Sequence, residues 1–367
     1  MTNRVLSWMK TARWAPSGGN SQPWAVAAQE SGTEITIDLW VDPEYRKHPS
    51  PMDIQGLATA LALGGLAKNL ELVAANDGYA MVSAACQFGE THYDGRVRLI
   101  FKVQSGTQKR FTNEQIIDRR TDRGRFHVEA LPAAFLAKMR AVTERTSLAI
   151  IRYTEFASTG DRRKADLVAP LSEIERVRWR NGPLLEGLLS EVSFGREIVN
   201  ELRKIPVTQL GISFFDQLFV QMFRRFKFLR GLMKLGFDAL PVYRAVGDFC
   251  RFCDRVCFLQ ANLDGSARDF EKAFELGRVY EELWIEANSN GVSFQPMGLP
   301  LIALGYWRHQ SQLEFSSANE GAIERATQRF HEFGVDLHQL VMGFRIGRTK
   351  KLAERSPRRE VEALIRA

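Results

Sequence analysis

The stretch IQGLATALALGGLAKNLELVAAN, residues 54–76, is rich in alanine and leucine and predicts a long buried helix. Its adjacent glycines, Gly64 and Gly65, remove two side chains from the helix surface and permit close packing of a neighbouring element. Glu34–Val41 (EITIDLWV) precedes it with the period-two alternation of a strand, and Arg96–Val103 follows as a second strand. The sequence therefore predicts a helix packed against a sheet.

The length of 367 residues exceeds the usual size of a single core and predicts two lobes. Hydrophobic residues make up 45% and charged residues 25%, which is ordinary for a globular protein. The net charge of +7 comes from 50 basic and 43 acidic residues. This excess is small enough to arise from a few anion-binding clusters, so no nucleic-acid partner is predicted and a phosphate ligand suffices.

The N-terminal residues, MTNRVLSWMKTARWAP, lack the apolar region of a secretory signal. Four cysteines in a chain of this length do not make a disulfide framework, so reduced thiols are expected. The chain has no run of the roughly 18 uninterrupted apolar residues that a membrane-spanning helix needs. A cytoplasmic location is predicted.

Helical patterns dominate after the basic segment IIDRRTDRGRF at 116–126. We place a lobe boundary there, with a first lobe at 1–115 and a second at 116–367. The second lobe is predicted to contain helices at 131–144, 160–180 and 270–290, strands at 147–154, 255–261 and 340–346, and a basic tail at 345–359.

The first segment that could carry chemistry is APSGGNSQPW at 15–24. Its glycines let the main chain approach a ligand, Ser17 and Asn20 offer hydrogen bonds, and Pro16 and Pro23 stiffen the ends of the loop. Such a loop suits the edge of a heteroaromatic ring. The alternative is a capped turn between a helix and a strand.

The second segment is RRTDRGRF at 119–126, where four arginines occupy seven positions. If it opens a helix, Thr121 or Asp118 can cap that helix, and free N–H groups join the guanidinium groups in holding a phosphate. The alternative is a solvated basic loop. The third segment is GVSFQPMGLP at 291–300, whose Pro-Met-Gly turn can present a backbone N–H to a ligand or can simply end a helix.

Together these segments resemble a known family. APSGGNSQPW resembles the flavin-loop signature of nitroreductase-type FMN flavoproteins, and RRTDRGRF is similar to their arginine-rich phosphate motif, which in ordinary members stands near the start of the chain. Its downstream position here, with the helix at 60–79, resembles the long, internally duplicated (Acg-type) branch. The resemblance covers most of the chain except residues 214–252. It implies a nitroreductase-like α+β fold of two lobes, each with an antiparallel sheet packed by helices, in a single-chain pseudo-dimer.

In ordinary members two subunits share each FMN, so the resemblance implies one FMN between the two lobes of this chain. By carry-over, one set of residues is predicted to bind the phosphate of FMN and another to contact its ring. The residues predicted at the phosphate are Arg119, Arg120, Thr121 and Arg123, with Arg358 or Arg359 from the tail. The residues predicted at the ring are Pro16, Ser17, Asn20 and Gln22 from the first lobe and Pro296, Met297 and Gly298 at the reactive edge.

The function implied is an FMN-dependent oxidoreductase that passes hydride from NAD(P)H through the flavin to a small organic acceptor, such as a nitroaromatic, a quinone or an enone. The alternative is a non-catalytic protein that stores FMN beneath a lid, and a third reading is specialised redox tailoring. At QPMG many members carry an acidic residue, which leaves nicotinamide-dependent activity open. The motifs contain no catalytic acid or base. The physiological substrate, the choice between NADH and NADPH, and the formation of a homodimer also stay open.

Two further features have alternative explanations. Cys250, Cys253 and Cys257 form CxxCxxxC, which is compatible with a metal site, but a fourth ligand is lacking nearby and buried thiols are expected, with no metal. Residues 214–252, here called the insert, combine aromatic side chains with basic ones. We interpret the insert as a lid over an apolar pocket; peripheral membrane contact is its second interpretation.

Overall fold

The computed structural model describes residues 2–145, 151–157, 163–350 and 352–366. The first part of the chain contains α1 (Asn3–Ala12), β1 (Trp24–Ser31), β2 (Glu34–Val41), α2 (Pro43–Lys47), α3 (Leu57–Asn76), β3 (Tyr79–Gln87), β4 (Arg96–Val103), α4 (Asn113–Ile117) and α5 (Ala133–Glu144). The middle part contains β5 (Ile151–Ala157), α6 (Arg163–Asp166), α7 (Val168–Arg180), α8 (Gly182–Ser190), β6 (Val192–Ser193), α9 (Glu197–Asn200), β7 (Ile205–Pro206), α10 (Phe214–Arg225), α11 (Ala239–Val242) and α12 (Asp248–Arg251). The last part contains β8 (Arg255–Ala261), α13 (Asp269–Ser289), β9 (Ser293–Met297), α14 (Pro300–Leu313), α15 (Ser317–Glu332) and β10 (Leu340–Gly347).

The first sheet is antiparallel with the strand order β1-β2-β4-β3. Strands β2 and β4 have the predicted bounds. In β2 alternate residues, including Ile35, Ile37 and Leu39, are buried against the core. Strands β1 and β3 were not predicted because their sequences, WAVAAQES and YAMVSAACQ, are rich in alanine and serine, which have little intrinsic preference for strands. Pairing with β2 and β4 overrides this local preference.

The second sheet is also antiparallel, with the order β5-β8-β10-β9. On one face of this sheet, residues such as Leu259 and Phe344 pack with α13 in one core region. On the other face, Phe258 and Val341 pack with α7 and α15 in a second core region. Strands β8 and β10 match the predictions within one residue. The strand predicted at 147–154 begins outside the described residues, and β9 lies inside the segment expected to form a turn. The α+β class with two antiparallel sheets is confirmed.

The lobes meet where α3 crosses α13. A Cβ atom on Gly64 would lie 2.0 Å from the carbonyl oxygen of Phe274, and one on Gly277 would lie 2.0 Å from the carbonyl oxygen of Leu61. Phe274 lies three positions before Gly277, and Leu61 lies three positions before Gly64, so the two contacts are reciprocal. Such reciprocity is typical of elements related by a two-fold axis. Gly64 has its predicted packing role, whereas a Cβ atom on Gly65 would lie 3.2 Å from the ring of Pro16.

Helix α3 is apolar because it is a core helix. Residues 54–76 are long and apolar enough to cross a membrane by length and composition, but most of their surface is buried inside the protein. Their hydrophobic side chains pack with α13 and the first sheet in one continuous core. Burial in this core accounts for the composition.

The C-terminal tail, residues 348–366, returns to the first sheet. The backbone N–H of Val26 donates to the carbonyl of Leu364, and the N–H of Arg366 donates to the carbonyl of Val26, so the tail pairs with the edge of β1. The last residues of the segment that the sequence assigns to the second lobe therefore pair with a strand of the first lobe. The boundary at 115/116 stays a prediction.

Candidate functional site

A cavity of about 420 Å³ lies between the lobes. Small-molecule sites commonly occupy about 300–1,000 Å³. Ten of the thirteen residues predicted to bind FMN line this cavity: Pro16, Ser17, Asn20, Arg119, Arg120, Thr121, Arg123, Pro296, Gly298 and Arg358. Segments that are remote in sequence therefore meet at one place.

The other three predicted residues do not line the cavity. Gln22 is buried, donates from Nε2 to the carbonyl of Leu202 at 2.6 Å and accepts at Oε1 from the backbone N–H of Arg359 at 2.8 Å. Arg359 itself forms an ion pair with Asp42 at 2.9 Å. Met297 lines a neighbouring cavity. Gln22 therefore connects the loop at 15–24 to Leu202 and to the tail, and Arg358 is the tail arginine that faces the cavity.

The loop at 15–24 is held in an unusual backbone conformation. Gly19, Asn20 and Gln22 have φ of 58°, 62° and 48°, in the left-handed region. At Gly19 a Cβ atom would lie 2.5 Å from the Cδ of Glu191, so the loop needs glycine there. The hydroxyl of Ser17 accepts from the backbone N–H of Gln22 at 3.0 Å and keeps its own proton for another partner.

Asn20 braces the site rather than presenting a free carboxamide. Its Nδ2 donates to the carbonyls of Leu202 at 2.9 Å and Pro357 at 3.0 Å, and its Oδ1 accepts from Arg358 at 2.5 Å. These bonds fix the loop to the tail. Direct contact of Asn20 with a ligand stays a prediction.

Arg119 and Arg358 form the buried part of the arginine cluster. Arg119 stacks on the ring of Trp284 at 4.4 Å, donates to the carbonyl of Trp14 at 2.6 Å and pairs with Glu281 at 3.1 Å. Burial lowers the pKa of Arg119. Burial, and then the positive charge of Arg119, lower the pKa of Arg358 to about 9. Both guanidinium groups therefore lie in an environment that disfavours their charged form.

Four more arginines border the cavity, namely Arg120, Arg123, Arg178 and Arg355. Burial lowers the pKa of Arg123 to about 10, and its guanidinium donates to the carbonyl of Gln209 at 3.1 Å. Arg355 stacks on Trp14 at 4.5 Å, and Arg120 is partly exposed. Among the described residues, the Nε of Arg358 is buried and has no hydrogen-bond partner. Desolvated cations with an unused donor fit an anionic group such as a phosphate, which would restore the balance of charge.

The phosphate motif does not begin a helix. Helix α4 ends at Ile117, and residues 119–126 are irregular, so the expected contribution of helix N–H groups at this position is wrong. The segment is fixed instead by tertiary contacts. Arg120 donates its backbone N–H to Asn288 at 2.8 Å, and Asp122 accepts from the backbone N–H of Ala353 at 2.8 Å. These bonds attach it to α13 and to the tail.

Sequence reasoning missed several residues at this cavity. Arg355 was part of the basic tail, and its spacing of three from Arg358 was the available signal. Glu281 lies buried in α13, where neither motif nor spacing marked it. Asp53 also lines the cavity; it accepts from the backbone N–H of Thr59 at 3.0 Å and from the hydroxyl of Tyr45 at 3.2 Å. Burial raises the pKa of this carboxyl.

Glu281 gives a pH-dependent stability. Burial raises the pKa of this carboxyl from an ordinary 4.5 to about 7, although Arg119 acts in the opposite direction. The native state therefore binds the extra proton between these pH values, and the free energy of unfolding falls as pH rises through that window, by on the order of 3 kcal/mol. Above about pH 7 this contribution is constant.

We expect Glu281→Gln to remove that part of the slope. Urea unfolding of the ligand-free wild type and variant at about pH 5 and about pH 8 measures it, because the difference between the two slopes isolates Glu281 from the other carboxyls. Equal slopes for the two proteins would contradict the assignment.

The three clustered cysteines lie in the hydrophobic core, Cys250 and Cys253 in the region packed by α7 and α15 and Cys257 in the region packed by α3 and α13. Cys250, Cys253 and Cys257 are buried, as expected for buried thiols. Burial raises the pKa of the Cys250 thiol to about 12, and the hydroxyl of Tyr153 donates to the Sγ of Cys257 at 3.3 Å. Among the described residues no group of His, Cys, Asp and Glu is arranged to hold a metal ion.

A second cavity, of about 1,020 Å³, adjoins the first beneath the insert. Phe215, Phe219 and Phe249 contribute to its walls, together with Met297. The two cavities share lining residues, namely Arg123, Arg178, Leu188, Leu210, Gln295, Pro296 and Gly298. The insert therefore covers space next to the candidate cofactor cavity. The interpretation of the insert as a lid stays a prediction.

Comparison with known proteins yields structural similarities only. No family model and no curated protein matches the chain. A nitroreductase-like family protein from Bacillus cereus is 11% identical, covers 71% of this chain with 98% of its own, and has a TM-score of 0.38. The FMN-dependent nitroreductase NfnB from Mycobacterium smegmatis, solved with NADPH, is 16% identical, covers 69% of this chain with 96% of its own, and has a TM-score of 0.36.

A protein from Anabaena variabilis described as a nitroreductase spans more of the chain. It is 10% identical, covers 95% of this chain with 90% of its own, and has a TM-score of 0.49. At these identities and TM-scores the similarity says nothing about individual site residues. All three of these solved structures are described as nitroreductases or nitroreductase-like proteins.

Proposed function

We propose that this chain is an FMN-dependent oxidoreductase of the nitroreductase type that passes hydride from NAD(P)H to a small organic acceptor. The observation that carries the proposal is the single cavity lined by the loop at 16–20, the arginines at 119–123, the turn at 296–298 and Arg358. An arginine-rich end and a glycine-containing end lie in the same cavity, which suits the two ends of a flavin nucleotide.

The arginines would hold the phosphate of FMN. Arg120 and Arg123 supply charge-assisted donors, the unused Nε of Arg358 supplies another, and Glu281 beneath Arg119 keeps that guanidinium in place. When bound, FMN supplies the hydride transfer itself. The protein's own part would be to bind FMN, with Pro16 and Gly298 among the residues that would contact its ring, and to exclude water from the cavity.

The acceptor would enter through the neighbouring cavity beneath the insert. Its aromatic lining suits a planar organic acceptor, such as a nitroaromatic, a quinone or an enone. Arg123 and Gly298, which border both cavities, would lie between acceptor and cofactor. The reductant would bind in the same neighbouring cavity, so that reductant and acceptor alternate.

A second candidate function is storage of FMN without catalysis. It is favoured by the segment 202–210, which is tied down on two sides of the cavity. Asn20 donates to the carbonyl of Leu202 at 2.9 Å, Gln209 donates to the carbonyl of Arg355 at 3.0 Å, and Ser356 donates to the side chain of Gln209 at 2.6 Å. A wall fixed in this way would hinder the stacking of a nicotinamide.

Anaerobic mixing separates the two candidates. The protein is loaded with FMN, freed of unbound FMN and mixed with NADPH or NADH while the visible absorbance is followed. Bleaching within a turnover time, with return of the colour on adding a quinone, is expected for the oxidoreductase. A yellow complex that stays oxidised for minutes supports storage, and protein that takes up no FMN contradicts both functions.

A further inference from the structure

The exposed hydrophobic side chains are concentrated in the insert. Among the described residues, 16 large hydrophobic side chains are exposed, and ten of them lie between Phe214 and Tyr243. Phe214, Phe228 and Leu235 are 67%, 77% and 75% exposed. Isolated exposed hydrophobics are ordinary, but a cluster of this kind marks an interaction surface.

The insert also carries cations without acidic partners. Arg225, Lys227, Lys234 and Arg251 are exposed, and in the described part of the chain none of them forms an ion pair. The other basic residues of the insert are neutralised locally, because Arg224 pairs with Glu197, Arg230 with Glu186 and Arg244 with Asp216. The surface therefore has a net positive charge beside its aromatic side chains.

The insert is anchored so that this face must point outward. Phe223, Met233 and Val242 are buried in a small separate core with Trp179 and Leu185 of α7 and α8. Inward rotation of the exposed face would expose these residues and break the ion pairs of Arg224 and Arg230. The outward face is thus a fixed property of the fold.

We propose that this face, residues 214–243 with Arg251, docks the protein on the surface of an anionic lipid bilayer. Short helices with aromatic and leucine side chains beside lysine and arginine are suited to the boundary between headgroups and acyl chains, where the rings insert and the cations meet lipid phosphate. A second copy of the chain fits this face poorly because its four unpaired cations would oppose one another.

Co-sedimentation with vesicles tests the docking surface. The full-length protein should pellet with vesicles of phosphatidylcholine and phosphatidylserine, pellet far less with phosphatidylcholine alone, and be released by salt, because screening weakens the attraction of cations to the bilayer. Failure to pellet with the anionic vesicles overturns the proposal, and so does self-association through this face without vesicle binding.

Two variants and their matched controls identify the residues. One variant combines Phe214→Ser, Phe228→Ser and Leu235→Ser, and it should bind the anionic vesicles at least roughly tenfold more weakly. Its control combines Val82→Ser, Val103→Ser and Val128→Ser at exposed apolar positions elsewhere, and it should bind them unchanged. Lys227→Glu with Lys234→Glu should weaken binding roughly 30-fold, and Lys10→Glu with Lys109→Glu is the control. All of the substituted side chains are exposed. An unchanged temperature of thermal unfolding therefore shows that the variants are folded. Equal loss in a variant and its control contradicts the proposal.

Discussion

Gly277→Ala is expected to lower the free energy of unfolding by at least about 3 kcal/mol. The added Cβ would lie 2.0 Å from the carbonyl oxygen of Leu61, which belongs to the backbone of α3 and cannot rotate away. Alanine favours a helix over glycine by only about 1 kcal/mol, so the collision decides the sign. Chemical unfolding monitored by circular dichroism measures the change.

A matched substitution should have the opposite sign. Gly321 lies inside α15, and a Cβ there would meet only the flexible Nη1 of Arg325 at 3.3 Å, so Gly321→Ala should stabilise the protein by up to about 1 kcal/mol. Combining Gly64→Ala with Gly277→Ala should cost less than the sum of the two, because one separation of the helices relieves both collisions. Equal stability of the Gly277 and Gly321 variants would show that the helices do not approach as closely as described.

Arg123→Ala is expected to weaken FMN binding at least roughly 30-fold, because it removes a partly buried cation from the proposed phosphate site. Riboflavin has the same ring but no phosphate, so its affinity should change little. The ratio of the two affinities, measured by quenching of flavin fluorescence, reports the phosphate contact separately from any general disturbance of the cavity.

Arg125→Ala is the control from the same motif. Its side chain is 67% exposed and pairs with Asp248 outside the candidate cofactor cavity, so FMN affinity should change by less than about fivefold. If Arg123→Ala weakens FMN and riboflavin equally, or if the two variants behave alike, the phosphate does not lie at Arg123.

The regular elements could be predicted wherever burial is periodic along the chain. Strands β2 and β4 have the predicted bounds because apolar side chains alternate in them, and α13 was predicted within one residue from its helical spacing. The long helical prediction at 160–180 divides into α6 and α7 in the structure, and its first residues lie outside the described part of the chain. Strands β1, β3 and β9 were missed because their partners, and not their own composition, make them strands.

The candidate site could be predicted only in part. The motifs marked the loop at 16–20 and the arginines at 119–123, because clustered glycines and clustered arginines are local signals. The engagement of Asn20 by Arg358, 338 positions away, has no local signal. The same holds for the buried pair of Arg119 and Glu281, since desolvation depends on which elements cover a side chain.

The sequence by itself determined the periodic strands and helices, the close-packing glycine at position 64 and the two motifs that meet at the cavity. Tertiary structure alone decided that Gly277 is the counterpart of Gly64, that Arg358 and not Arg359 faces the cavity, and that Phe214, Phe228 and Leu235 of the insert are exposed. The physical reason is the range of each interaction. Side-chain periodicity and backbone preference act over a few neighbouring residues, whereas packing and the burial of charge depend on contacts between segments far apart in the chain.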